Sequence, residues 1–289
     1  MKISVSSYSF SQYLNDDRLN LFGAVEEAAK MGFDAIEFTD IPGETHGERL
    51  KTAEALKDKA KECGIEINAY TVSANLYHDS DEENDNEVER LKKALDVAKV
   101  LGASVMRHDA CWKLEKSGNA RSFDLMLPTI AKNARKISEY AKILGIKTCT
   151  ENHGYIAQDS DRMERLFNTV AYDNYGLLVD MGNFACADED SCHAVSKLAP
   201  YAFHVHAKDF LKFESEEAAG GKGGFPTRGM NYLVGTSVGY GDIPVEKCIK
   251  ILKNAGYDGY ISIEYEGSED CIEGIKKGFD KLKSYLNEK

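Results

Sequence analysis

Four residues of this chain combine reactive chemistry with a shared position. Glu151, Asp180, His206 and Glu264 each close a short β-rich run: Thr148-Cys149-Thr150-Glu151, Leu178-Val179-Asp180, Phe203-His204-Val205-His206 and Ile261-Ser262-Ile263-Glu264. Neighbouring parallel strands lie ~4.8 Å apart, so side chains at four adjacent strand ends can meet at one point. Three carboxylates and an imidazole gathered there would repel one another without a cation. A divalent metal removes the conflict. Oxygen-rich ligation with one nitrogen suits Mn²⁺, Mg²⁺ or Co²⁺ better than a thiolate-type zinc site, with Zn²⁺ a further option.

The rest of the sequence supplies the elements that would hold these residues. Eight strand-like runs are expected: Ile3–Ser7, Ala35–Phe38, Glu66–Ala69, Ser104–His108, Lys147–Glu151, Gly176–Asp180, Ala202–His206 and Tyr260–Glu264. Amphipathic helical stretches alternate with them. Leu50, Ala53, Leu56, Ala60 and Cys63 share one helical face, and Leu127, Ile130, Ala134, Ile137, Ala141 and Leu144 share another. Glycines 32, 64, 102, 145 and 256 fall where these helices should stop. Eight strand-helix units predict an α/β fold, a single (β/α)8 TIM barrel over residues 1–289. A doubly wound open sheet is the weaker alternative, because Ser6-Ser7-Tyr8-Ser9-Phe10 stands where a glycine-rich fingerprint would follow the first strand. Residues Asp209–Asp242 read as one long loop after the seventh strand, over the site. Its Gly220–Gly224 run lacks the P-loop pattern and is expected to be flexible.

Composition narrows the partners. The chain has 289 residues, 48 Asp plus Glu against 36 Lys plus Arg, and a net charge of −12. Such a surface repels a phosphate backbone, and no dense basic run offsets it, so no nucleic-acid partner is expected. The expected partner is a small carbohydrate or polyol. Seven cysteines without a C-x-x-C pair fit a reducing compartment, and no run approaches the ~18 apolar residues of a membrane span. The N-terminal MKISVSSYSF is strand-like, without a signal-type apolar region. The expectation is a cytoplasmic protein with no membrane partner.

Four longer patterns surround the four residues. They are Glu151-Asn152-His153, Val179-Asp180-x-Gly182-Asn183, His206-x-Lys208-Asp209 and Gly256-Tyr257-x-Gly259-Tyr260-x-Ser262-x-Glu264. Together they resemble the xylose isomerase-like sugar phosphate isomerase/epimerase superfamily, along the whole chain. The resemblance implies a (β/α)8 barrel with one divalent metal, often manganese, held by Glu151, Asp180, His206 and Glu264. It implies that Glu151 and Glu264 also exchange the substrate proton, while the metal polarises a carbonyl and stabilises an enediolate. The expected activity is a sugar, polyol or sugar phosphate isomerase or epimerase. An inosose-type dehydratase or lyase on the same site is the alternative, and a non-catalytic carbohydrate-binding barrel a more distant one. Relatives of this kind are often dimers or tetramers, so a homo-oligomer is compatible with the resemblance. Two positions depart from ketose 3-epimerases: Asn183 stands in place of a histidine and Lys212 in place of an arginine. A neutral amide cannot replace a charged imidazole, though it can hydrogen-bond a hydroxyl, and this argues against a free-ketohexose 3-epimerase.

A second group of residues is expected to contact substrate. His153 lies two residues past Glu151, and His108 closes the fourth strand with Asp109 beside it. Trp112, the single tryptophan, offers a flat ring for a sugar's C–H face. Asn183 and Glu37 offer hydrogen bonds to hydroxyls, and Arg228 in the long loop offers a fork for a phosphate or carboxylate. His204 alternates with His206 and is expected one layer lower, as a core histidine; Lys208 is expected in an ion pair. The acidic run Asp79–Asp85 lacks the glycine and terminal glutamate of a calcium loop. It reads as the start of a helix.

Overall fold

A computed structural model describes residues 1–112, 114 and 122–287 of the chain. Eight parallel strands close into a barrel: β1 (Lys2–Ser6), β2 (Ala35–Thr39), β3 (Glu66–Val72), β4 (Val105–His108), β5 (Lys147–Glu151), β6 (Tyr175–Asp180), β7 (Ala202–Ala207) and β11 (Tyr260–Ile263). β11 pairs with β1 and with β7, which completes the ring. All eight expected strands are present, with ends shifted by up to three residues. The open-sheet alternative is excluded by this closure.

Helices cover the outside of the barrel, and local chemistry sets their ends. Thr45 and Glu48 form a reciprocal capping box at the start of helix His46–Cys63, whose Ala53, Leu56 and Ala60 are buried as the periodicity required. Ser80 caps helix Asp81–Leu101, and Asp81, Glu82 and Glu83 fill its first turn, where the dipole favours acids. At Gly102 the chain turns out of that helix with φ 83°, a conformation that costs a β-carbon dearly. Among the described residues no helix is long and apolar enough to cross a membrane.

Inside the barrel, side chains change character with height. Ala69, Val105, Cys149 and Leu178 form an apolar layer near the bottom. Two residues further along the same strands stand Thr71, Arg107, Glu151 and Asp180, all buried. Because alternate residues of a strand share a face, each apolar floor residue places a polar one directly above it.

The expectation that Asp209–Asp242 is one long loop after β7 is corrected. Residues 209–236 contain β8 (Asp209–Phe213), β9 (Phe225–Pro226) and β10 (Tyr232–Thr236), joined as an antiparallel sheet in the order β8-β10-β9. Gly224 has φ 134°, and a Cβ there would lie 2.1 Å from the Leu233 carbonyl oxygen. The glycine is needed for a close approach between strands. Asp209 closes the excursion by accepting from the amides of Gly239 (2.8 Å), Gly241 (2.9 Å) and Ile243 (3.1 Å).

Candidate metal centre and active-site cavity

The ends of β5, β6, β7 and β11 bring one ligand atom each from Glu151, Asp180, His206 and Glu264 within 4.8 Å of one another. His206 Nδ1 lies 3.6 Å from Glu151 Oε1, 3.8 Å from Asp180 Oδ2 and 3.5 Å from Glu264 Oε2. Each ligand is fixed by a neighbour. Asp180 Oδ1 accepts from the amides of Gly182 (2.7 Å) and Asn183 (2.9 Å), which turns Oδ2 toward the centre. The Asn152 side chain pairs with the backbone of Asp180 as an extra strand would, donating to its carbonyl and accepting from its amide. Gly182 is required here for space, since a Cβ would meet the Lys208 carbonyl oxygen at 2.7 Å. Glu151 is gripped by Arg107 (2.5 Å) and by the Asn183 amide group (3.0 Å).

Glu37 lies behind His206. Its Oε1 is 2.9 Å from His206 Nε2, and its Oε2 is 2.6 Å from His204 Nε2. His204 is buried in the layer expected for it. On the other side Lys208 reaches Glu264 (2.5 Å), Glu266 (3.1 Å) and Asp180 (3.6 Å).

Burial and charge set the protonation preferences. Burial pushes Asp180 up to about 7; Lys208 opposes the shift, and Glu151 and Glu264 add to it. For Glu151 burial acts upward too, but Arg107 and His206 outweigh it and bring the carboxyl down to about 2. Burial works likewise against Glu264, which Lys208 and His206 hold well below the usual carboxylate range. Burial would lower Lys208, yet Glu264, Glu266 and Asp180 keep it well above its ordinary value.

The donor set fits a divalent cation. Asp180 Oδ2 and His206 Nδ1 are buried and have no hydrogen-bond partner, although both face the other ligands. An unpartnered buried polar atom is costly, and a cation at their common point satisfies both.

Glu151, His206 and Glu264 of this cluster line a cavity of about 300 Å³, with Tyr8, Thr71, Arg107, Trp112, His153 and Glu266 among its other walls. His153 Nδ1 is 2.8 Å from Asp109 Oδ1, and the edge of its ring meets Trp112 at 5.1 Å between centroids. Trp112 is 45% exposed at the mouth. Asn183 is buried between Glu151 and Lys208. Three residues expected to contact substrate stand elsewhere. Glu37 is fully buried behind His206. His108 is fully buried beside Tyr175 and Thr150, out of step with the inward-facing Arg107. Arg228 is turned to Asp159 (2.8 Å) and the Tyr155 carbonyl (2.5 Å). Arg107, Tyr8, Glu266, Thr39 and Thr71 are wall residues that strand-end reasoning missed. Counting inward positions in twos along β4 from Val105 selects Arg107 in place of His108.

Comparison with known proteins places this architecture. Residues 25–285 match the family model of the xylose isomerase-like TIM barrel. The chain belongs to that family. Among curated proteins, an inosose dehydratase from Clostridium perfringens is 28% identical over 162 residues, 56% of this chain and 54% of that protein. An inosose dehydratase from Mesomycoplasma hyopneumoniae is 25% identical over 169 residues, 55% of this chain and 54% of the other. The chain thus spans about half the length of the curated relatives it matches. Among solved structures, a D-psicose 3-epimerase from Clostridium cellulolyticum H10 with D-tagatose superposes with a TM-score of 0.76 at 15% identity, over 99% of each chain. The IolI protein with a bound zinc atom gives 0.75 at 20% identity over the whole of both chains. At these identities the likeness is one of fold.

Proposed function

We propose that this member of the xylose isomerase-like family is a divalent-metal-dependent sugar or polyol isomerase or epimerase that moves a proton on a carbon beside a carbonyl. The observation that carries this reading is the cluster of buried Glu151, Asp180 and His206 with half-buried Glu264, in which Asp180 Oδ2 and His206 Nδ1 lack hydrogen-bond partners, opening on a polar cavity. The oxygen-rich set favours Mn²⁺, with Mg²⁺, Co²⁺ or Zn²⁺ as other occupants. When bound, the metal polarises the substrate carbonyl and acidifies the adjacent C–H.

The chain's own groups supply the rest. Glu151 and Glu264 come from opposite ends of the ligand arc, β5 and the residue after β11, so they can reach a substrate carbon from two sides. Arg107 and Lys208 keep both carboxylates ionised, the state in which one can accept a proton. Trp112 offers its ring to the sugar's C–H face, and His153, oriented by Asp109, faces the same cavity. Asn183 serves by holding Glu151 and Lys208. Glu37 and Arg228 act through His206 and Asp159, and His108 through packing.

The curated relatives favour a second reading, an inosose-type dehydratase, which starts from the same proton removal and then expels a hydroxyl. Both are tested with Mn²⁺-loaded protein and a set of ketoses, inososes and sugar phosphates in D₂O, followed by NMR. Deuterium should enter at the carbon beside the carbonyl. Glu151→Gln and Glu264→Gln should each lower that rate by about 100-fold or more, with unchanged circular dichroism. Exchange at the wild-type rate in both variants would refute the proton-transfer assignment. A product lighter by one water identifies the dehydratase.

A further inference from the structure

A second chamber, of about 500 Å³, opens beside the reaction cavity and shares Tyr8 and Glu266 with it. Its inner wall is the turn Ser7–Phe10 and the segment after β11. That wall is fixed: Ser9 Oγ donates to the Ile263 carbonyl (3.0 Å) and accepts from the Tyr265 amide (2.9 Å). Gln12 Nε2 donates to the Gly267 carbonyl (3.0 Å). The outer wall is β10, paired on one side with β8 and on the other with β9. Gly235 of β10 passes so close to Glu266 that a Cβ would lie 2.2 Å from its carbonyl oxygen. The chamber is therefore built between two hydrogen-bonded walls.

Its lining selects a class of occupant. Tyr8 and Phe225 present rings, and the Tyr8 and Ser268 hydroxyls present neutral polar groups. Among the lining residues described, Lys222 is the one basic side chain, and its ammonium sits 5.6 Å over the Phe213 ring. At the junction of the two spaces stands the Glu266 carboxylate. Lys208 at that junction is already engaged by Glu264 (2.5 Å) and Glu266 (3.1 Å), so a phosphate in the chamber would find Lys222 alone. A neutral polyhydroxylated group meets rings for its C–H faces and hydroxyls for its own. The reaction cavity alone is at the small end of ligand sites, with room for one sugar unit.

We propose that the substrate is a neutral glycoside: a keto sugar at the Glu151–Glu264 centre carrying a second sugar unit that occupies the chamber between Tyr8 and Phe225. The assignment rests on the sugar-enzyme reading of the reaction cavity given above.

The test uses Mn²⁺-loaded full-length protein and three ligands with one ketose unit: D-fructose, D-fructose 6-phosphate, and isomaltulose, which is fructose with a glucosyl group on O6. Calorimetry should show isomaltulose binding about tenfold or more tightly than fructose, and the phosphate no more tightly than fructose. Ser268→Trp, at an exposed position of the chamber, should bring the isomaltulose-to-fructose ratio close to one. Equal binding of isomaltulose and fructose, no binding of isomaltulose, preference for the phosphate, or a ratio unchanged by Ser268→Trp would each overturn the proposal. Deuterium exchange on the same samples reports the reaction separately. A glucosyl preference without exchange leaves the chamber assignment standing and rejects the proton-transfer reading; exchange without the preference does the reverse.

Discussion

Glu37 has no exposed surface, yet both of its oxygens face imidazoles. Burial alone would raise its pKa, but His206 and His204 outweigh that cost and keep it well below the usual range. A carboxylate facing His206 Nε2 keeps a hydrogen on that nitrogen and leaves the Nδ1 lone pair for the centre. On the metal-dependent reading proposed above, Glu37 would be a positioning residue for His206. Glu37→Gln should weaken Mn²⁺ binding about 10–100-fold, measured as free Mn²⁺ by electron paramagnetic resonance, with unchanged circular dichroism. Rescue by Glu37→Asp would point to the charge; wild-type affinity in Glu37→Gln would limit Glu37 to barrel packing. The same titration counts ions. Glu37, His204 and His206 also bring ligand atoms within 4.8 Å, so a count of one per chain assigns the ion to one site and a count of two would fill both.

At the scale of elements, the segment 225–231 is tied by a few contacts to Asp188, after β6. Asp188 accepts from Thr227 Oγ1 (2.7 Å), from Asn231 Nδ2 (2.9 Å) and from the Gly229 amide. Its own φ is 59°, so glycine can replace it without backbone strain while removing all three bonds. Asp188→Gly should speed hydrogen exchange in 225–236 and leave the barrel strands protected. Equal protection in both proteins would mean that strand pairing and the Arg228 contacts hold the segment without Asp188. The sequence made the barrel elements legible because each strand and helix obeys a local rule, such as the Thr45–Glu48 box or the Ala53-Leu56-Ala60 face. The convergence of Glu151, Asp180, His206 and Glu264 was legible for the same reason, one residue per strand end. The β8-β10-β9 sheet was not, because its strands are two to five residues long and its glycines serve non-local contacts, as Gly224 does with Leu233. Choosing between Arg107 and His108 needed the inward parity of β4, which a four-residue strand does not reveal by periodicity.

For the whole molecule, the consequence of His108 facing the packed side of the barrel is a dependence of stability on acid. Its ring has Nδ1 3.0 Å from the Asp109 carbonyl oxygen, and its Nε2 is buried without a partner. Burial, with Arg107 adding, lowers its pKa from 6.5 to about 4, so the folded chain keeps it neutral. Between those values the unfolded chain binds more protons than the folded one. Stability therefore rises with pH through that window and is lost as pH falls from about 6.5 toward 4, by roughly 3 kcal/mol for one fully buried group. The net charge of −12 works in the opposite direction, since acid relieves repulsion among surface carboxylates. A single protein would report the sum of the two. The difference between wild type and His108→Gln isolates the histidine, because the substitution leaves the acidic residues in place. Urea unfolding at pH 7.5 and pH 5, with metal chelated throughout, should show wild type losing more stability than the variant, whatever the variant's starting value. Equal losses in the two proteins would show that His108 is not the group that takes up the proton.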